Sequence, residues 1–192
     1  MSKPRILAFA GSTRTGSCNH QVLLVAAEGA RAAGAEVTVL NLKDYPLPLF
    51  DQDLEKEQGP PENATKLKQL FLDYDGLLIA SPEYNSSISP LLKNTIDWVS
   101  RPAEGEAPLA AYRGKVAALM AASPGGLGGM RGLVHVRSIL GNIGVLVLPD
   151  QVAVSSAFEA FDDEGQFKDD RKRGQVQGLG KSLTETLSKL AS

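Results

Sequence analysis

Short apolar runs alternate along the chain with longer stretches in which apolar residues recur every three or four positions. The runs are Arg5–Ala10 (RILAFA), Glu36–Asn41 (EVTVLN), Gly76–Ser81 (GLLIAS), Lys115–Ser123 (KVAALMAAS) and Gly144–Val154 (GVLVLPDQVAV). Several are apolar at odd and even positions alike, which is how a strand reads when helices cover both faces of its sheet. The stretches between them predict helices. The first runs from Asn19 to Ala33 and is closed by Gly34; the second follows Pro60-Pro61 and aligns Leu67, Leu70 and Phe71. A third begins near Pro90 with Leu91, Leu92, Ile96 and Val99 in register, and a fourth covers Met130–Ile143. In the last, Val176, Leu179, Leu183, Leu187 and Leu190 keep three- and four-residue spacing.

Five strands in strict alternation with helices predict an α/β three-layer sandwich joined by right-handed crossovers. Five strands suit a parallel sheet of order 2-1-3-4-5, the flavodoxin-like arrangement, better than a six-stranded dinucleotide fold. No repeat, low-complexity tract or linker divides residues 1–192, so one domain is expected. Two segments lack a clear period. Leu42–Pro61 (LKDYPLPLFDQDLEKEQGPP) reads as a long surface loop near the carboxyl edge of the sheet, and Phe161–Arg173 as a solvated excursion before the last helix.

Composition narrows the field. Apolar residues make up 43% and charged residues 22% of 192, an ordinary globular balance. A net charge of −2 gives no basic field for nucleic acid or an anionic membrane, and is too small for a highly acidic electron carrier. The one cysteine, Cys18, forbids an intrachain disulfide and fits a reducing compartment. Ile6–Ala10 is too short for a signal-peptide core, so the expected location is the cytoplasm.

The chemistry concentrates where the first strand ends, in GSTRTGSCN (Gly11–Asn19). Ligands of open parallel sheets bind beyond the carboxyl ends of the strands, where strand order reverses, and here the reversal falls at strands one and three. The loop opens a helix, whose N-terminus offers free amides and partial positive charge. Ser12, Thr13, Thr15, Ser17 and Asn19 add neutral donors, Arg14 adds a forked cation, and no acidic residue lies between Gly11 and Gln21. A triphosphate loop would need a lysine where Ser17 stands, and Ser12-Thr13 breaks the glycine pattern of a dinucleotide site. No arginine follows Cys18 closely enough for a cysteine phosphatase. A monophosphate held without metal fits these residues; so does a polar turn in which Ser17 or Asn19 merely caps the helix.

A second stretch, SPEYNSSISPLLKNTIDWV (Ser81–Val99), follows the third strand. Gly11, Ser12, Arg14, Ser17 and Asn19 meet the pattern G-S-x-R-x-x-S-x-N, while Pro82–Asn85 and Leu92–Trp98 meet P-E-Y-N and L-K-N-x-I-D-W. With both motifs, the chain resembles the NADPH-dependent FMN reductase family, which includes quinone, azo-dye and chromate reductases. The resemblance implies a flavodoxin-like fold, non-covalent FMN, and NADPH or NADH as co-substrate. It implies that Ser12, Arg14, Ser17, Asn19 and the amide of Cys18 hold the phosphate. Pro82, Glu83, Tyr84 and Asn85 would line one side of the flavin ring, and Ser123, Gly125 and Gly126 would flank it from the fourth strand. The reaction would be ping-pong hydride transfer to small-molecule acceptors, with no catalytic side chain, because the cofactor carries the chemistry. A homodimer or homotetramer is implied too, with Trp98, Arg101 and Leu42–Pro61 as candidate contacts.

Other features carry less. His20 and His135 are too few for a metal cluster. The stretch from Asp51 to Glu62 has carboxylates at calcium-loop offsets, but Lys56 takes the glycine position. Two further classes remain open at this level: a flavodoxin-like carrier without turnover, and a non-flavin binding module on the same fold.

Overall fold

The computed structural model describes residues 3–162 and 164–191. Five strands, β1 (Arg5–Ala10), β2 (Glu36–Leu40), β3 (Gly76–Ala80), β6 (Val116–Ala122) and β7 (Leu146–Val154), form one parallel sheet of order β2-β1-β3-β6-β7. In strand sequence this is 2-1-3-4-5, the expected arrangement. A small antiparallel hairpin, β4 (Glu83–Tyr84) and β5 (Ser87–Ile88), sits beyond β3. The helices are α1 (Cys18–Ala32), α2 (Gln52–Gln58), α3 (Glu62–Asp73), α4 (Pro90–Val99), α5 (Met130–Asn142) and α6 (Asp170–Leu190). No helix among the described residues is long and apolar enough to cross a membrane.

Strand pleating sorts the core into two layers. Ile6, Ala8 and Ala10 of β1, with Leu78 and Ala80 of β3 and Val116, Ala118 and Met120 of β6, pack under α1 and α6. Leu7 and Phe9, Leu77 and Ile79, and Ala117, Leu119 and Ala121 face the other way, against α3, α4 and α5. All of β3 and β6 is buried, which is why their sequences are apolar without alternation. Helices α1 and α6 approach unusually closely. A Cβ on Gly29 would lie 2.1 Å from the Gln177 carbonyl oxygen, and one on Gly180 would lie 2.0 Å from that of Ala26.

The two segments without a clear period are more ordered than expected. Leu42–Pro61 contains a turn of 3-10 helix at Leu42–Asp44 and the short helix α2. Asp51 caps α2 by accepting the amides of Asp53 and Leu54, so a carboxylate that mimics a calcium-loop ligand is a helix cap. The strap between them is pinned to α4: Asn94 Nδ2 and Trp98 Nε1 both donate to the Pro48 carbonyl, and Asn94 Oδ1 accepts from the Phe50 amide. Trp98 is only 1% exposed, with Phe50 edge-on at 5.0 Å. It is therefore an anchor within the chain, not an available subunit contact. In Phe161–Arg173, Phe161 and Phe167 pair as a β-bridge and bury their rings 4.4 Å apart; Asp163 lies outside the described residues. Asp169 then caps α6, so the helix starts inside what reads as a solvated excursion.

The edge strand β7 also departs from regular pairing. Ala117 pairs with Val147 but Leu119 with Gln151, so Leu148–Asp150 bulge out of the ladder. Pro149 sits there, where no ladder donor is required, and Arg137 donates to the carbonyls of Val147 and Pro149 and to Gln151 Oε1.

Gly180→Ala should force α1 and α6 apart and lower stability by about 1–3 kcal/mol, the usual range for overpacking. Chemical denaturation checks this, and an unchanged midpoint would mean that the helices separate freely.

Candidate functional site

Because the strands are parallel, the loops after β1, β3, β6 and β7 leave the sheet at one edge. The β1–α1 loop turns tightly: the Ser17 amide donates to the Arg14 carbonyl at 3.1 Å, and Gly16 takes φ +66°, which favours glycine. Ser17 is the N-cap of α1, yet its side chain accepts no cap hydrogen bond, and the first turn contains no acid. The first amides of a fifteen-residue helix are thus left open to an external acceptor. Arg14 is exposed; its guanidinium touches the Thr15 carbonyl at 3.4 Å, and no carboxylate among the described residues pairs with it. Ser12 is half-buried beside it, with Oγ accepting from the Arg14 amide.

The second motif forms the β4–β5 hairpin. Asn85 (φ 50°) and Ser86 (φ 65°) make a two-residue turn with both φ positive, the twist that lets a short hairpin close. Pro82 is buried against Gly11, whose missing Cβ would meet Leu92 and Ser89 at 3.0 Å and Pro82 at 3.3 Å. Tyr84 is half exposed and Asn85 is exposed. Glu83 behaves differently from its neighbours. Its carboxylate accepts from the Gly132 amide at 3.0 Å and from Arg131 Nε at 2.9 Å, so it clasps the hairpin to the start of α5 rather than facing the mouth. Burial pushes this carboxyl up, but the Gly132 amide and the Arg131 guanidinium outweigh it and hold it below the usual range. His135 adds a second tie, with Nδ1 2.9 Å from Ser87 Oγ.

The third loop, Ser123–Gly129, leaves β6. Ser123 Oγ accepts from the Gly125 amide at 3.3 Å, and Gly125 and Gly126 are exposed. A Cβ on Gly126 would meet nothing within 4 Å, so backbone here is accessible to a flat ligand. The three loops converge through buried polar bridges. Ser89 Oγ donates to the Gly11 carbonyl at 2.7 Å while capping α4 through the Leu92 amide. Asn19, expected to face a phosphate, instead pairs both ends of its amide with the backbone of Ala122: Nδ2 donates to the carbonyl at 2.8 Å and Oδ1 accepts the amide at 2.9 Å. Cys18 is buried too, with Sγ 3.7 Å from the Ala157 carbonyl beyond β7.

Ser89, Arg131 and Gly132 were not among the residues singled out from sequence. Ser89-Pro90 was legible as an N-cap followed by proline at the first helical position, whereas the Glu83 clasp joins residues 48 apart and leaves no local signal. Among the described residues no cluster of three His, Cys, Asp or Glu is placed to hold a metal.

An acid-free helix N-terminus and two glycine- or proline-shaped loops meet at the switch point of a 2-1-3-4-5 sheet, which is a flavodoxin-like architecture. Comparison with known proteins makes this specific. The model of the NADPH-dependent FMN reductase family matches residues 4–159. An NAD(P)H-dependent FMN reductase of Pseudomonas aeruginosa is 35% identical over 174 residues, covering 90% of this chain and 89% of that protein. A quinone reductase of Escherichia coli is 34% identical over 146 residues, covering 76% and 74%. Among solved structures, a flavoenzyme NAD(P)H:(acceptor) oxidoreductase from Paracoccus denitrificans superimposes with a TM-score of 0.81 at 28% identity, covering 97% of this chain and 98% of that one. The chain belongs to the NADPH-dependent FMN reductase family. It is an oxidoreductase whose cofactor is FMN and whose co-substrate is NAD(P)H.

The Glu83 clasp makes a prediction with a defined sign. Its folded carboxyl titrates below the ordinary value, so its stabilisation is complete above that value and is lost as pH falls through the lowered one. The melting-temperature gap between the wild type and Glu83→Gln should therefore be widest near pH 7 and shrink towards pH ~3. A gap that stays constant would show that charge on Glu83 does not hold the hairpin.

Proposed function

We propose that this protein reduces quinones, and by the same route flavins, azo compounds or metal oxyanions such as chromate, with electrons taken from NAD(P)H. The observation that carries this reading is the uncapped, acid-free start of α1 beside the unpaired Arg14, on the same edge as the hairpin and the Ser123–Gly126 loop. Names of relatives support the acceptor class: a quinone reductase in Escherichia coli and an NADPH:quinone oxidoreductase in Arabidopsis thaliana, the latter 32% identical over 182 residues.

FMN held at this edge would supply two-electron redox chemistry between NAD(P)H and the acceptor. The side chains do the holding. Arg14, with Ser12, Ser17 and the Cys18 amide, takes the phosphate through charge-assisted hydrogen bonds. Pro82, Tyr84 and Asn85 wall one side of the ring, Tyr84 with an apolar face and a polar tip. Ser123, Gly125 and Gly126 would flank the ring on another side, where the open glycine backbone allows a close approach. Glu83 contributes by fixing the hairpin. No side chain is assigned as acid, base or nucleophile. The protein works as a homodimer or homotetramer in the cytoplasm, with the Leu42–Pro61 strap and Arg101 at the contact; Leu49 on that strap is 78% exposed.

Hydrogen bonds to charged groups contribute roughly 1.5–3 kcal/mol, so Arg14→Ala should weaken FMN binding about ten- to a hundred-fold. Fluorescence titration of the apoprotein measures it, and an unchanged affinity would place the phosphate elsewhere. Because donor and acceptor use one open face in turn, double-reciprocal plots of rate against NAD(P)H at several quinone concentrations should be parallel. Intersecting lines would mean that both bind at once.

A further inference from the structure

Asn19 is 5% exposed, and both functional ends of its side chain are engaged by one residue more than a hundred positions away. A carboxamide offers one donating and one accepting end, and here they meet the carbonyl and the amide of Ala122, the last residue of β6. Asn19 lies in the first turn of α1, and Ala122 immediately precedes Ser123 of the third loop. The adjacent residue, Cys18, contacts the Ala157 carbonyl, while the Ala157 amide donates to the Ser123 carbonyl at 3.1 Å. The Ser123 amide in turn donates to Val154 at the end of β7. Of two consecutive residues in one helical turn, Asn19 thus holds the residue before the third loop directly, and Cys18 touches Ala157, which bonds to Ser123.

We propose that Asn19 is a positioning residue that locks the helix start receiving the phosphate and the loop receiving the ring into one rigid unit. This rests on the flavin-binding reading above and deepens it. The pair is buried, so removing the carboxamide leaves both the carbonyl and the amide of Ala122 without their partner and frees the loop. Asn19 therefore acts on the ring end of the ligand, although its place in the sequence is at the phosphate end. Its contribution does not depend on the ligand carrying a phosphate at all.

Riboflavin, which is FMN without the phosphate, separates the two roles. In Asn19→Ala the affinities for FMN and riboflavin should both fall by the same factor, roughly ten-fold. The FMN-to-riboflavin affinity ratio should stay at its wild-type value, and the visible circular dichroism of the bound ring should change shape. A fall for FMN alone would make Asn19 a phosphate ligand and overturn the proposal, as would unchanged affinities for both. If Asn19→Ala does not fold, hydrogen exchange of the wild-type apoprotein with inorganic phosphate gives the answer instead. Phosphate should slow exchange in Ser123–Gly129 as well as in Gly11–His20, and slowing confined to Gly11–His20 would overturn the proposal. A wild-type protein that binds neither flavin would refute the flavin-binding reading itself, an outcome distinct from all of these.

Discussion

The parallel ladder joining β1, β3 and β6 is the constraint on which the site depends. In register, Ala10 lies beside Ala80 and Ala80 beside Met120, two residues before β6 ends, so the chain leaves three neighbouring strands at one edge of the sheet. Alanines end all three strands, at Ala10, Ala80 and Ala122, and the first amide beyond β1 already bonds to β3, from Gly11 to the Ala80 carbonyl at 2.9 Å. Every feature of the mouth follows from that geometry. An antiparallel neighbour would have sent its loop to the far edge, and the two sequence motifs would never have met.

Holding these loops together takes buried or half-buried polar side chains. Ser89, Asn19 and Glu83 each reach backbone atoms across a gap between elements, and each is satisfied there. Their division of labour differs. Ser89 and Asn19 are neutral and tie the first loop to α4 and to β6, while Glu83 is charged and ties the hairpin to a helix N-terminus, where negative charge is favoured. The one charge on the β1–α1 loop is the guanidinium of Arg14, which no carboxylate among the described residues pairs with. A site that keeps its carboxylates turned away in this manner attracts an anion without having to displace a resident counter-charge.

Much of this was readable in the sequence because the signals are local. A strand apolar on both faces, the proline that starts α4 and the acid-free run from Gly11 to Gln21 each declare themselves within about twenty residues. The strand order followed from counting units. What sequence did not disclose is where side chains point. Asn19 and Glu83 sit inside recognisable motifs, yet their partners Ala122, Arg131 and Gly132 lie 48 to 103 positions away, and only tertiary packing decides that they turn from the mouth to one another. Trp98 is a similar case: its ring closes beneath Pro48 and Phe50 of a strap whose prolines suppress the helical period and make it read as irregular. The hairpin was missed because its strands are two residues each and its turn uses Asn-Ser, where glycine is the commoner second residue.

The bulged flank of the sheet bears on aggregation. A regular outer strand offers a neighbour a ready row of donors and acceptors, and β7 interrupts that row at Pro149 while Arg137 occupies the carbonyls on either side of Leu148. A stray polypeptide attempting to extend the sheet there would find its rungs missing at mid-length. That edge of the sheet is therefore guarded against strand addition, while β2 forms the opposite edge.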